Sequence, residues 1–150
     1  MVKSIERLFV RYQYHILRIC IAILFLWFGA LKFFPGVSQA EELAIRSIGV
    51  LTFDLIPDAV SIKLLAFLEV SIGILLIGFR EYRLTFWLLL FHMVCTITPL
   101  FLLQSITFRQ FPFQLTLEGQ YIVKNIVIIC AAFMLLVAHR SEKSRATKVV

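Results

Sequence analysis

The sequence predicts an all-α membrane protein: a four-transmembrane-helix bundle with both termini cytoplasmic and a short amphipathic outer helix between spans one and two. Three observations carry this. Of the 150 residues, 61% are hydrophobic and 16% charged, with a mean hydropathy of +0.93, whereas a soluble domain holds about 45–50% apolar and about 25% charged residues. The apolar residues gather into four runs near 13–34, 60–79, 84–103 and 119–138, each close to the ~20 residues a helix needs to cross a bilayer core of about 30 Å. Four such runs leave nothing soluble to bury them, so residues 1–150 form a single integral membrane domain. With 6 Gly, 4 Pro and 15 Phe, the composition excludes a collagen-like or disordered chain.

Span one ends in Lys32, Phe33 and Phe34 rather than a small-residue cleavage site, so it is expected to stay in place as an anchor. Beyond Pro35-Gly36, Ser38 and Glu41 have capping-box spacing. Ala40, Leu43, Ala44, Ile48 and Leu51 then share one face, which predicts an amphipathic helix ending before Pro57. In span three, Pro99 removes the backbone bond to the Cys95 carbonyl; the expected result is a kink, or extra acceptors beside Thr96 and Thr98, or both. The segment 104–118, with Phe108, Phe111 and Phe113 around Pro112, is expected to cap the bundle or to anchor it at the interface. The basic tail 139–150 is expected to lie disordered near anionic lipid.

The 15 basic and 9 acidic residues give a net charge of +6, and their distribution sets the topology. Lys3, Arg7, Arg11, Arg80, Arg83, Arg140, Lys143, Arg145 and Lys148 fall on one side. Arg46 and Arg109 fall on the other, among Glu41, Glu42, Asp54, Asp58 and Glu118. The positive-inside rule therefore puts both termini in the cytoplasm, with Tyr12, Tyr14, Tyr82 and Trp87 in the inner aromatic belt and Tyr121 in the outer one. No soluble element carries a basic stripe, so the expected partner is the lipid bilayer and not nucleic acid. Cys20, Cys95 and Cys130 lie in apolar runs without paired spacing and read as small buried hydrophobes. No metal site is expected.

Intramembrane polar residues carry the functional information, because an ionisable group there is costly and usually faces the bundle. Arg18, Ala22, Phe25, Gly29 and Lys32 make one stripe on span one, and Ala66, Glu69 and Gly73 make another on span two. Span three offers His92, Cys95, Thr96 and Pro99, and span four Tyr121, Lys124, Asn125 and Ile128. At about 1.5 Å per residue, Glu69 and His92 both fall near the midplane. Glu69 is expected to pair with Lys124, Lys32 or both. Such a pair either fixes helix order or lines an outward-facing polar pocket for a small molecule or a quinone head group. The candidate ligand-binding residues are Lys32, Glu69, His92, Thr96, Tyr121, Lys124 and Asn125, although His92 alone also reads as a hydrogen-bonded core histidine. His15 and His139 share the inner interface, but no motif supports a bis-histidine haem. No nucleophile–base pair, metal triad or nucleotide loop is present, so an enzyme acting alone is the least favoured class and catalytic residues are unassigned.

Four stretches carry a family resemblance: Arg18–Phe33, Leu68–Leu75, Thr98-Pro99-Leu100 and Glu118–Asn125. Together they resemble the successive helices of the YkgB/RclC family, in the DoxX-like group of bacterial inner-membrane proteins, over about residues 18–138. The resemblance implies a four-helix protein of the bacterial inner membrane. It also implies an accessory or binding subunit for a small redox-active or lipophilic molecule, in quinone-linked redox chemistry or oxidative-stress defence. Quinone is the cofactor it suggests, and another membrane or redox subunit, or a second copy, the protein partner. The family's charged positions fall on Arg18, Lys32, Glu69 and Lys124. Asn125 departs from the commoner Asp, which weakens a proton relay, and His92 lies outside the family pattern. A small-solute or proton transporter, a channel, and a purely structural assembly partner remain as alternatives; a carrier is disfavoured by the lack of inverted repeats.

Overall fold

The computed structural model describes residues 2–78 and 82–147, with side chains over 5–78 and 82–141. Its elements are α1 (Val2–Leu31), α2 (Glu41–Thr52), α3 (Asp58–Gly78), α4 (Tyr82–Ile97), α5 (Pro99–Leu102) and α6 (Gln104–Thr107), a hairpin of β1 (Phe108–Gln110) and β2 (Gln114–Leu115), and α7 (Leu117–Thr147). Among the described residues, 4 helical stretches are long and apolar enough to cross a membrane: Ile5–Leu31, Asp58–Gly78, Tyr82–Leu102 and Leu117–Ser141. The two of 21 residues are each about 31 Å long, a close match to the bilayer core. Arg80 and Lys148 of the topology argument lie outside the described residues, as do the side chains of Lys3, Lys143 and Arg145.

The outer helices run further than the hydropathy of the sequence suggests. α1 starts at Val2, and the expected disordered tail is helical as far as Thr147. Neither extension contains Gly or Pro, so nothing in the backbone stops the helix where the apolar run stops. α1 ends by tightening: the N–H groups of Lys32, Phe33 and Phe34 each donate three residues back, and Gly36 then takes φ +74°. α2 forms as expected, but its capping box does not. Ala40 occupies the cap position without a side-chain bond, and the Glu41 carboxylate reaches back to accept from the Gly36 N–H at 2.8 Å. The left-handed turn at Gly36 supplies that donor to the carboxylate.

At Pro99 the helix breaks, and the Thr98 hydroxyl donates to the Cys95 carbonyl at 2.7 Å, taking up the acceptor left by the missing proline N–H. Segment 104–118 is not a loop. α6 leads into the antiparallel β1–β2 hairpin across a cis Phe111–Pro112 bond. Thr107, the last residue of α6, is fully buried, and its hydroxyl donates to the Leu103 carbonyl at 3.1 Å. Phe111 and Phe113 point outward instead.

The bundle is built from two close pairs, α1 on α3 and α4 on α7, with lighter contact between α3 and α4 and between α1 and α7. Two glycines set the first pair. A Cβ on Gly29 would stand 2.9 Å from the Glu69 Cβ, and one on Gly73 would stand 2.6 Å from the Leu26 Cγ, so only glycine lets the backbones come this close. In the second pair the Tyr82 hydroxyl donates to the Ala132 carbonyl at 3.0 Å. This buries Tyr82, correcting its expected place in the inner aromatic belt. Cys20 and Cys130 are exposed and Cys95 half-buried, so the cysteines are not core residues. Their apolar thiols are equally at home against lipid.

Candidate functional site

Three side chains from three spans meet inside the bundle. Lys32, one residue beyond α1, is turned inward by the tight bonds that close the helix and is buried. Its Nζ donates to Glu69 Oε2 at 2.6 Å and to the Phe28 carbonyl at 3.3 Å. From α4, His92 Nε2 lies 3.0 Å from Glu69 Oε1, so both oxygens of the carboxylate are engaged. An ionised carboxylate only accepts, so in this contact Nε2 is the donor, and in a neutral ring that leaves Nδ1 as an acceptor. That Nδ1 is buried with no hydrogen-bond partner among the described residues. The Lys32 and Glu69 side chains are 6% and 9% exposed. A buried pair of this kind is tolerated only where the remaining donors and acceptors are well placed.

The trio stands at the wall of a cavity of about 660 Å³, within the range of small-molecule sites (about 300–1,000 Å³). Leu24, Phe25, Phe28 and Leu31 of α1 and Ile122, Asn125 and Ile128 of α7 supply the sides. His92, Met93 and Thr96 supply α4's share, and the stretch Val37–Ala40 with Leu43 of α2 lies at the outer end. The Phe25 ring meets His92 edge-on at 5.3 Å between centroids. The Thr96 hydroxyl donates to the His92 carbonyl at 2.7 Å, which leaves its lone pairs available.

Of the expected residues, Lys32, Glu69, His92, Thr96, Tyr121 and Asn125 line this cavity together. Lys124 does not. It is exposed, and its Nζ sits 3.9 Å from the centre of the Tyr121 ring one turn away. The expected Glu69–Lys124 pair is therefore corrected to Glu69 with Lys32 and His92. The inward face of α7 is rotated from the expected stripe: Ile122, Ala132 and Leu136 are buried, Asn125 and Ile128 lie at the edge, and Tyr121 is half open. Arg18, half-buried on α1, is about 21 Å along the helix from Lys32 and takes no part. His15 and His139 make separate ring contacts, with Tyr12 at 6.5 Å and Tyr82 at 5.7 Å. Among the described residues no group of three His, Cys, Asp or Glu could hold a metal ion.

Sequence reasoning missed the outer wall of Ser38, Gln39 and Glu118, because neither a turn nor the first residues of a helix, where Glu118 stands in α7, carry a periodicity that would place them. The Glu69–His92 contact was within reach, since both residues count to the same depth. No family model, curated protein or solved structure matches the chain.

Proposed function

We propose that this protein is a multi-pass membrane protein that holds a small lipophilic, redox-active molecule, acting as an accessory or binding subunit and not as an enzyme by itself. The observation that carries this reading is the buried Lys32–Glu69–His92 trio at the wall of a ligand-sized cavity. Such a site offers an ammonium donor and an imidazole acceptor to a ring bearing carbonyl or hydroxyl oxygens, as a quinone head group does, and gives it apolar walls to stack on. The resemblance of the four helices to the DoxX-like group supports the same setting: the bacterial inner membrane, quinone-linked redox chemistry or oxidative-stress defence. The charge distribution supports cytoplasmic termini.

Packing also favours binding over conduction. One turn inward of Glu69 and His92 stand Ile72 and Leu89, fully buried as Ala22 is, and the buried residues that follow are apolar apart from Thr85 and the Tyr82 hydroxyl. No polar path through that layer is built among the described residues.

The test is ligand binding by the full chain in lipid nanodiscs. The probe is 2,3-dimethoxy-5-methyl-6-decyl-1,4-benzoquinone, alongside an absorbance scan for pigment that co-purifies. Saturable binding, weakened about tenfold or more by Lys32→Met, is the expected result. Absence of binding together with solute flux in proteoliposomes would overturn it in favour of a channel.

A further inference from the structure

The cavity reaches the surface of the bundle within the span of the helices. Two of its α1 residues, Leu24 and Phe28, are 43% and 51% exposed, and Tyr121 on α7 is 53% exposed. Residues that line a cavity and also stand half open mark where it breaks the surface. These three flank the seam between α1 and α7, one of the two lighter contacts of the bundle. The lining runs from Leu24 to Lys32 on one side and from Tyr121 to Ile128 on the other, which makes the opening about 10–12 Å long along the helices. Leu24 and Ile128 lie about 10 Å and about 16 Å in from the outer ends of their spans, at a depth where the neighbouring phase is hydrocarbon. Tyr121 and Asn125 give the α7 edge of the slit its polar groups, and Leu24 and Ile128 at its inner end are apolar.

We propose that this slit is a lateral portal for a membrane-dissolved amphiphile with a compact polar head and a single hydrocarbon tail. The head seats against Lys32, Glu69 and His92, and the tail threads out past Leu24 and Ile128 into the lipid. The proposal rests on the binding reading above and adds the route of entry and the chemical class of the ligand. A tailless polar solute has no use for an apolar opening at this depth. A second copy of the chain packing there would meet the polar edge of Tyr121, Lys124 and Asn125 as well as the apolar one.

The experiment compares two compounds that share one ring, dimethoxy-methyl-benzoquinone carrying either a methyl or a decyl group at the remaining position. Affinities are measured by ligand depletion on the full chain in nanodiscs of fixed lipid content. Leu24→Trp and Ile128→Trp narrow the slit without replacing a member of the trio, and each is expected to weaken the decyl compound about tenfold or more, a loss several-fold larger than that of the methyl compound. Ile23→Trp and Val127→Trp, on exposed positions outside the lining, are expected to leave both compounds within about twofold. Should a narrowing variant fail to accumulate, Leu24→Ala widens the slit instead and is expected to speed association of the decyl compound alone. Equal losses for both compounds, or no loss for either, would overturn the portal while leaving the binding site standing. A change in oligomeric mass on narrowing, without a change in decyl affinity, would assign the seam to a second copy. Failure of both compounds to bind the unmodified protein overturns the binding reading and the portal with it.

Discussion

Glu69 is held from two sides, by Lys32 just past the end of α1 at 2.6 Å and by His92 on α4 at 3.0 Å. Removing one member of a buried pair leaves a charge without compensation, at a cost of about 3–5 kcal/mol. Glu69→Gln is therefore expected to lower the melting temperature markedly, and Glu69→Gln combined with Lys32→Met to recover most of the loss. If the pair only fixes helix order, the double variant also regains ligand binding. If it holds the ligand, binding stays lost, and that is the expected outcome. Lys124→Met supplies the contrast. An exposed ammonium over an aromatic ring contributes about 0.5–1 kcal/mol, so its melting temperature should barely move. A loss at Lys124 comparable to that at Glu69 would mean that the trio has been assigned to the wrong lysine. Thermal unfolding in one detergent at one protein concentration measures all three variants beside the unmodified protein.

At the level of the helices, the decisive contact is the crossing of α1 and α3. Gly73→Leu would drive a side chain into Leu26 and the Ala22 carbonyl, whereas a Cβ on Gly78 meets nothing within 4 Å. The first change is expected to destabilise by about 2 kcal/mol or more, in the manner of an overpacked core, and the second by much less. Similar melting temperatures for the two would contradict the observed crossing. The stripes on α1 and α3 were legible in the sequence because small residues alternate there with the charged ones: Ala22, Gly29, Ala66 and Gly73 are all buried. The stripe on α7 was not. Tyr121 and Lys124 are polar, yet near a helix end a polar side chain is as well satisfied by reaching to the boundary as by facing inward. Composition does not separate the two. The hairpin went unread for a different reason: strands of 3 and 2 residues are too short for alternation to register.

For the molecule as a whole, the number of crossings and the bias of charge make one prediction that packing does not enter. Reporter fusions at Val150 and at Gln104 should report opposite faces of the membrane, with Val150 in the cytoplasm. Both on one face would remove a crossing and with it the bundle. The four-span architecture was readable because crossing a bilayer demands length and apolarity, which are properties of composition alone. The partner of each buried charge depends on helix rotation, which a single sequence constrains only through which residues are small.

The apolar layer of Ala22, Ile72 and Leu89 beneath the trio has a consequence for direction. A cavity closed at its floor, with a side slit that meets only hydrocarbon, has a single aqueous rim. Whatever proton a bound molecule takes up or gives up must pass over that rim, on the side where α2 lies. Redox cycling of such a molecule would then be vectorial without any channel through the protein: electrons could arrive from either face, while protons would be exchanged with one.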